Sequence, residues 1–302
     1  MYYITTACRY GRDRTINLLA LNLTKALLWQ VIAAVAIVSY SPTPIAQATL
    51  SRLSTPIAQA TSSSQLKLFF DTVNNPEQLS FPRGKKVDIT PPAPQLSEFD
   101  RDVLKTCGEI GTKLKASDFK QLMSNHPNVL REIKQAVGGQ LLPVRNTEAE
   151  FLDDLTAIWS KREGFEHIFC GELETPTKIG GLHYFGRYLQ LQNQGIGGRL
   201  PNNLQKEEVI PGVVYTLGVV IKKGDRTWRD PLKGYPLVTD AKELLLDATK
   251  AFKAQGNAQG ACILPVQDRD TDKSYSAVFV KSRDAIVTFY PDATPSGKPC
   301  RV

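Results

Sequence analysis

The pattern of apolar and polar positions divides the chain into a helical stretch and a later stretch of short strands. Between residues 97 and 159, apolar residues recur at the three- and four-residue spacing of a helix face. This spacing predicts four helices, at 97–104, 117–123, 128–137 and 147–159. Ser97 can cap the first helix, and Gly138-Gly139 can end the third. Trp159 lies on the apolar face of the fourth, so we expect it in the core.

Beyond Gly164 the pattern changes to short runs rich in β-branched and aromatic residues. These runs predict five strands, at 167–170, 213–222, 261–266, 277–281 and 285–290. Two further helices, near 184–192 and 240–255, interrupt them. Helices first and strands afterwards are typical of an α+β fold.

The N-terminal part follows neither pattern. Basic residues precede an uncharged, largely apolar run at 26–40, which is shorter than the roughly 20 residues of a membrane span. An A-x-A cleavage site follows at 46–48, and the repeated segment PIAQAT offers a second at 58–60. We predict a signal peptide over 1–48 and a secreted or periplasmic protein without stable membrane association. An uncleaved membrane anchor and a buried helix are the alternatives.

Residues 49–97 are first rich in Ser and Thr and then rich in Pro, which predicts a largely irregular linker. The remainder, 98–302, is then one folded domain, with a helical part over 98–163 and a second part over 164–302. Hydrophobic residues at 42% and charged residues at 22% fit an ordinary globular protein and argue against a disordered or multispan membrane protein.

Charge and cysteine content change this picture only slightly. Removing 1–48 takes away four basic residues and Asp13, which lowers the formal net charge from +7 to +4. A small basic excess permits a polyanionic partner without requiring one. Four cysteines remain, and an even number in an exported chain fits two disulfides. Three pairings are open, of which we favour Cys262–Cys300 as one bond, and no spacing typical of a zinc site occurs.

Two of the three histidines lie 16 residues apart in polar, glycine-flanked windows. His167 lies in FEHIFCGE and His183 in GGLHYF. Glycines beside such residues let backbone N–H groups approach a ligand closely. Taken alone, both histidines are also compatible with structural roles. His126 precedes Pro127, and we expect it in a polar turn.

These two windows resemble the histidine motifs of the EndoU family, the poly(U)-specific endoribonucleases to which the coronavirus uridylate-specific enzymes are related. Two further windows agree in order: Lys233 followed by a Leu-rich helix, and VTFYP with Tyr290. The four windows together cover residues 164–291. The resemblance implies an α+β fold, with an N-terminal helical part followed by a catalytic core of two small antiparallel sheets with flanking helices.

The resemblance also implies a reaction and a role for each residue. His183 would be the general base for the ribose 2′-OH, and His167 the general acid for the leaving 5′-oxygen. Imidazoles suit both steps because their unperturbed pKa lies near 6.5. Lys233 would stabilise the transition state, and the products would be a 2′,3′-cyclic phosphate and a 5′-hydroxyl. Lys222 and Lys223 compete with Lys233 for its role.

For substrate binding, the resemblance implies an amide contact from Gly181 and base or ribose stacking by Tyr290. The family often has Ser or Thr shortly after the lysine, where it reads uracil. Here Leu237 stands four residues after Lys233 and Thr239 two further on, so Thr239 is the candidate and uridine selectivity is open. Glu166 and Glu172 can orient the first histidine or remain exposed carboxylates.

The expected protein is therefore a secreted endoribonuclease acting on single-stranded RNA, with an inhibitor or immunity protein as a further partner and a monomeric state. It needs no cofactor, although manganese can stimulate some family members, and we expect no metal ligands. The alternatives are a non-catalytic RNA-binding protein with the same fold and an unrelated secreted interaction domain.

Overall fold

A computed structural model of the protein describes residues 66–301. The predicted signal peptide and the first part of the predicted linker lie outside this range. Within it, no helix is long and apolar enough to cross a bilayer. A short two-stranded hairpin precedes the first helices, and two larger antiparallel sheets follow them, which confirms the expected α+β class.

Four helices form the N-terminal part, as the apolar spacing predicts: α1 Glu98–Cys107, α2 Ala116–Asn125, α3 Pro127–Ala136 and α4 Glu148–Ser160. Ser97 caps α1 through a reciprocal pair of hydrogen bonds. Its hydroxyl accepts from the Asp100 N–H at 3.1 Å, and the Asp100 carboxylate accepts from the Ser97 N–H at 2.8 Å. The capping residues seen in the sequence therefore start the helix where it is observed.

Asp100 also joins this part to the rest of the domain. Its buried carboxylate accepts hydrogen bonds from the Tyr184 hydroxyl at 2.7 Å and from the Ala241 N–H at 3.0 Å. Tyr184 precedes α5 (Phe185–Asn193), and Ala241 begins α6 (Ala241–Gln255). One capping carboxylate thus holds the N-terminal ends of three helices together.

The short strands that precede the two sheets are β1 (Glu77–Gln78), β2 (Lys86–Val87), β3 (Glu172–Leu173) and β4 (Ile179–Gly180), which pair as two small antiparallel hairpins.

The larger sheet has four antiparallel strands: β5 Gly197–Arg199, β6 Glu208–Ile210, β7 Val214–Lys223 and β8 Arg226–Pro236. β7 pairs with β8 along one edge and with β6 and then β5 along the other. β8 contains Pro231 and many polar residues, so the sequence pattern did not predict it. It nevertheless carries Lys233 into the sheet.

The smaller sheet has three antiparallel strands, β9 Gly260–Gln267, β10 Ser274–Ser282 and β11 Ala285–Asp292, with β10 in the middle. All three cover the strands predicted from the sequence. β11 packs against β8, so the two sheets meet along this pair of strands. One hydrophobic core runs through the described part of the chain and includes Trp159, which is fully buried.

The prediction of a strand at 167–170 is wrong, because residues Glu166–Cys170 form a π-helical turn. Phe165, Ile168 and Phe169 are all buried, and their spacing is that of a helix face rather than of a strand. An apolar run this short does not distinguish the two structures. The turn places His167 on the side opposite to this buried face, where it is partly exposed.

The prediction of a linker over 49–97 also needs correction within its described part. The backbone of 66–97 is largely irregular, as expected, but Phe69 and Phe70 are buried in the core. The side-chain oxygen of Gln192 accepts from both of their N–H groups, at 2.6 and 2.9 Å. Single bridges also join Lys67 to β5 and Phe81 to β6. A polar, Pro-rich composition did not reveal that two adjacent aromatic residues anchor the segment.

Two disulfides are present, Cys107–Cys170 and Cys262–Cys300. The first joins the end of α1 to the π-helical turn. The second is the pair favoured from the sequence and joins β9 to the C-terminal segment. Disulfides of this kind are typical of proteins from oxidising compartments such as the periplasm and the extracellular space.

Candidate functional site

A cavity of about 470 Å³ opens where β8 and β11 meet. It brings together four of the predicted site residues, His167, His183, Lys233 and Tyr290. A second cavity of about 450 Å³ lies between α2 and α4, but its lining contains no histidine. The cavity between the sheets is therefore the candidate site.

His183 lies at the inner end of this cavity and is only 8% exposed. Its Nδ1 lies 3.1 Å from the backbone carbonyl of Gly234, and a carbonyl can only accept, so Nδ1 carries the proton. Burial, followed by the charges of His167 and Lys233, holds the pKa of His183 well below its usual value. The neutral ring therefore leaves Nε2 as a proton acceptor.

His167 lies next to it, with 5.7 Å between the two ring centres. Its Nδ1 donates to the Glu172 carboxylate at 2.9 Å. Burial alone would raise the pKa of Glu172, but the hydrogen bond and charge of His167, with Lys113 and Lys233, lower it. The two histidines thus differ in partner: one bonds a backbone carbonyl and the other an ionised carboxylate.

The hairpin of β3 and β4 positions Glu172, which lies opposite Gly180. A Cβ atom at Gly180 would lie 2.4 Å from a carboxylate oxygen of Glu172. At the next residue, Gly181, φ is +55° and a Cβ would lie 1.8 Å from the His167 carbonyl oxygen. Gly181 therefore requires glycine, because its backbone is left-handed and a backbone carbonyl blocks a Cβ there, whereas at Gly180 only glutamate side chains would have to move.

Lys233 lies on β8 directly across from Leu217, beside a bulge that shifts the register of β7 and β8. It is 9% exposed, and its ammonium lies 3.4 Å from the Asp230 carboxylate. Burial lowers the pKa of Lys233, and the Asp230 charge partly opposes this shift. Neither Lys222 nor Lys223 lines the cavity, and Lys223 contacts Glu109 at 3.1 Å elsewhere.

β11 forms the opposite wall of the cavity. Thr288, Tyr290 and Asp292 alternate along this strand and all line the cavity. The Tyr290 ring stacks against His183, with ring centres 5.2 Å apart and an angle of 29° between the planes. Tyr290 is therefore close enough to the base candidate to contact the same nucleotide.

Thr239 does not reach the site, so the prediction that it binds substrate is wrong. It is 1% exposed, and its hydroxyl pairs with the Tyr275 hydroxyl at 3.0 Å. The strand β8 ends at Pro236, and the chain then turns towards the start of α6 at Ala241. Thr239 lies in this turn and is buried. Spacing from the lysine could not show this turn. Leu237 is also outside the cavity lining.

The sequence reasoning missed several residues that line the cavity: Glu208, Thr216, Thr288, Asp292 and Thr294. Glu208, Thr216 and Gly234 lie side by side across β6, β7 and β8. The Thr288 hydroxyl is buried without a partner in the described part of the chain. Only the two-residue alternation with Tyr290 could have identified Thr288 and Asp292 from the sequence.

One group of carboxylates in the described residues could hold a metal ion by geometry: Glu163, Glu166 and Glu172. The ammonium of Lys113 already lies among them, 3.1 Å from Glu163 and 2.9 Å from Glu166. A cation would have to displace this lysine. The residues present therefore do not fit a resident manganese ion.

The arrangement can move two protons and stabilise a negative charge. One imidazole is neutral with a free acceptor, the other is paired to a carboxylate, and a buried cation lies beside both. Such a set suits acid–base catalysis on a phosphodiester, where charge builds on the non-bridging oxygens.

The chain is similar to a known protein family and to solved structures. Residues 161–293 match the family model of the bacterial EndoU nucleases. One similar structure is that of XendoU, a splicing-independent snoRNA-processing endoribonuclease, with a TM-score of 0.46 and 17% identity over 78% of this chain and 93% of XendoU. Another is an endoribonuclease of Middle East Respiratory Syndrome Coronavirus, with a TM-score of 0.37 and 14% identity over 66% of this chain and 41% of the viral one. No curated protein sequence matches.

Proposed function

We propose that the chain is an exported endoribonuclease of single-stranded RNA, as the match of residues 161–293 to the family model of the bacterial EndoU nucleases suggests. It cleaves by transesterification and leaves 2′,3′-cyclic phosphate and 5′-hydroxyl ends. The observation that carries the proposal is the pair of adjacent histidines whose Nδ1 atoms bond different partners, a carbonyl and a carboxylate.

His183 acts as the general base. Its Nδ1–H is held by the Gly234 carbonyl, so Nε2 accepts the proton of the ribose 2′-OH while the oxygen attacks phosphorus. The burial that lowers the pKa of His183 keeps the ring neutral at physiological pH, which a base requires.

His167 acts as the general acid. The Glu172 carboxylate accepts a hydrogen bond from Nδ1–H, which fixes the orientation of the ring. Nε2–H then protonates the 5′-oxygen as its bond to phosphorus breaks. Atoms balance because the proton taken by one histidine is matched by the proton given by the other.

Lys233 stabilises the extra negative charge on the phosphate oxygens of the transition state. Its burial supports this role, since a cation acts more strongly where water is excluded. Gly181 contributes a backbone N–H to the same phosphate, and Tyr290 stacks on the base or ribose.

The far end of the cavity favours bases that present N–H donors. Glu208 and Asp292 line it, and the Glu208 carboxylate accepts from the Thr294 hydroxyl at 3.0 Å. Carboxylates repel phosphate, and they accept from the amino groups of guanine, cytosine and adenine as well as from the N3–H of uracil, so this lining does not select uracil. We therefore expect the family preference for uridine to be weak here.

The proposed reaction needs no metal, because the two histidines and Lys233 supply the base, the acid and the stabilisation of charge. Export is supported by the two disulfides and by the sequence of the first 48 residues. An enzyme that acts outside the cell or in the periplasm as a monomer, with an inhibitor protein protecting its producer, fits these features.

The experiment uses a labelled RNA that carries each base once, incubated with purified protein in EDTA and then in manganese. Mass spectrometry identifies the product ends. We expect cyclic-phosphate ends in EDTA, no cleavage by His183→Ala, and no cleavage of RNA with a 2′-deoxyribose at the cut position. Cleavage mainly after uridine would contradict only the expected base preference and would leave the proposed chemistry intact.

His126→Ala is the matched control, because His126 lies outside the cavity and bonds Asp102 at 2.9 Å. It should cleave like the wild type. Intact RNA under both conditions, with binding still measurable, would overturn the catalytic proposal in favour of a non-catalytic RNA-binding protein.

A further inference from the structure

Lys113 lies outside the nuclease domain, in the loop between α1 and α2, yet it reaches the carboxylates behind the first histidine. Its ammonium lies 2.9 Å from Glu166, 3.1 Å from Glu163 and 3.9 Å from Glu172. The described part of the chain places no other lysine or arginine within ion-pair distance of these three carboxylates. The helical part thus supplies the one lysine or arginine that contacts the cluster there.

Glu166 makes this contact more than a surface ion pair, because its side chain is only 4% exposed. Its second oxygen accepts from the Leu114 N–H at 2.9 Å, so two adjacent residues of the loop hold it. A buried carboxylate without a partner is costly, and the loop removes that cost. Burial alone would lower the pKa of Lys113, but the hydrogen bonds and charges of Glu166 and Glu163 raise it. The Lys113 ammonium therefore stays charged.

The same cluster controls the charge around His167. Glu172 offers one carboxylate oxygen to His167 and the other to Lys113. The ring also faces His183, and Lys233 lines the same cavity. Without Lys113, three carboxylates within 4.8 Å of one another would repel, and His167 would stand in a more negative field.

We propose that Lys113 is a positioning residue for the general acid: it holds Glu172 against His167 and offsets the negative charge of the cluster, so that the imidazolium releases its proton readily. This proposal rests on the proposed function for its catalytic consequence, but the contact itself is independent of RNA cleavage. It explains why the helical part and the nuclease domain meet beside the active site.

The test compares Lys113→Met with Lys113→Arg, and with Lys120→Met as the control. Lys120 forms an exposed ion pair with Asp153 at 2.6 Å, away from the cavity. We expect Lys113→Met to lower kcat about tenfold with little change in KM, since part of the general-acid contribution is lost. The alkaline limb of its pH–rate profile should move up by about half a pH unit or more. Lys113→Arg should restore both.

NMR titration of the histidine rings separates this proposal from the proposed function. The chain has three histidines, so His167 can be assigned by single substitutions. We expect its titration midpoint to rise in Lys113→Met and to stay unchanged in Lys120→Met, even if the wild type cuts no RNA. An unchanged midpoint and an unchanged pH profile, with only a lower Tm, would overturn the positioning role and leave a structural one.

Discussion

The two histidines of the cavity occupy opposite environments although their ring centres lie only 5.7 Å apart. His183 is almost fully buried, bonds a backbone carbonyl and stacks on Tyr290. His167 is 26% exposed and bonds an ionised carboxylate that is itself held by a lysine. Burial disfavours the charged form of the His183 ring, whereas the ring of His167 donates to a carboxylate. The different roles proposed for two identical residue types rest on this difference in surroundings.

The largest effect should come from removing each histidine in turn. His183→Ala should lose about 10³-fold or more in kcat on RNA and on a nucleoside 3′-(4-nitrophenyl phosphate), since both need the 2′-OH activated. His167→Ala should lose a similar factor on RNA but little on the nitrophenyl ester, because that leaving group needs no proton. Equal losses of both variants on both substrates would contradict the assignment of acid and base.

The low pKa of His183 should determine where activity falls on the acidic side of the pH–rate profile. A general base works when it is neutral, and a pKa below 6.5 keeps it neutral at lower pH. The acidic limb should therefore lie well below pH 6.5, with about tenfold more activity retained near pH 5 than an unshifted histidine allows. A limb centred at 6.5 would show that His183 is not the base, or that it is not buried in solution.

Glu172→Gln tests whether the charge of the carboxylate beside His167 matters for catalysis. An amide oxygen can still accept from Nδ1–H, so orientation is kept while the charge is lost. We expect kcat to fall about tenfold at neutral pH and the alkaline limb to move down, because the imidazolium loses its counter-charge. This direction is opposite to that of Lys113→Met. Shifts in the same direction for the two variants would rule out an electrostatic link.

The smallest effect should come from Asp230→Asn, next to the lysine. Burial already lowers the pKa of Lys233, and Asp230 opposes this shift, so its removal lowers that pKa further. Activity should be unchanged near pH 6 but fall about threefold near pH 9, where the uncharged amine appears earlier. A uniform loss at every pH would point to altered packing of β8, and circular dichroism of the variant would detect it.

Much of the fold was predictable because local rules decide it. The capping box at Ser97 starts α1, Pro127 begins α3, and the alternating runs of 261–290 form β9 to β11. The strand β8 was missed since Pro231 and its polar neighbours hide the alternation. The strand predicted at 167–170 failed because three apolar residues at helical spacing also fit a strand.

The sequence by itself determined which chemical groups the site contains. His167, His183, Lys233 and Tyr290 were identified from short motifs, and the structure brings all four into one cavity. Gly180 and Gly181 were noted as close-approach positions, and at Gly181 the backbone of His167 leaves no room for a Cβ atom. A short motif can indicate a catalytic side chain or a close backbone approach, because each depends on only a few neighbouring residues.

Only the tertiary structure decided what surrounds those groups. It buries Thr239, brings Glu208 and Thr288 into the cavity, and carries Lys113 from the helical part to Glu172. Thr239 pairs with Tyr275, 36 positions away, and Lys113 lies 59 positions from Glu172, so no local pattern encodes these contacts. The low pKa of His183 depends on burial and on neighbouring charges, so the proposed division into base and acid rests on the folded chain.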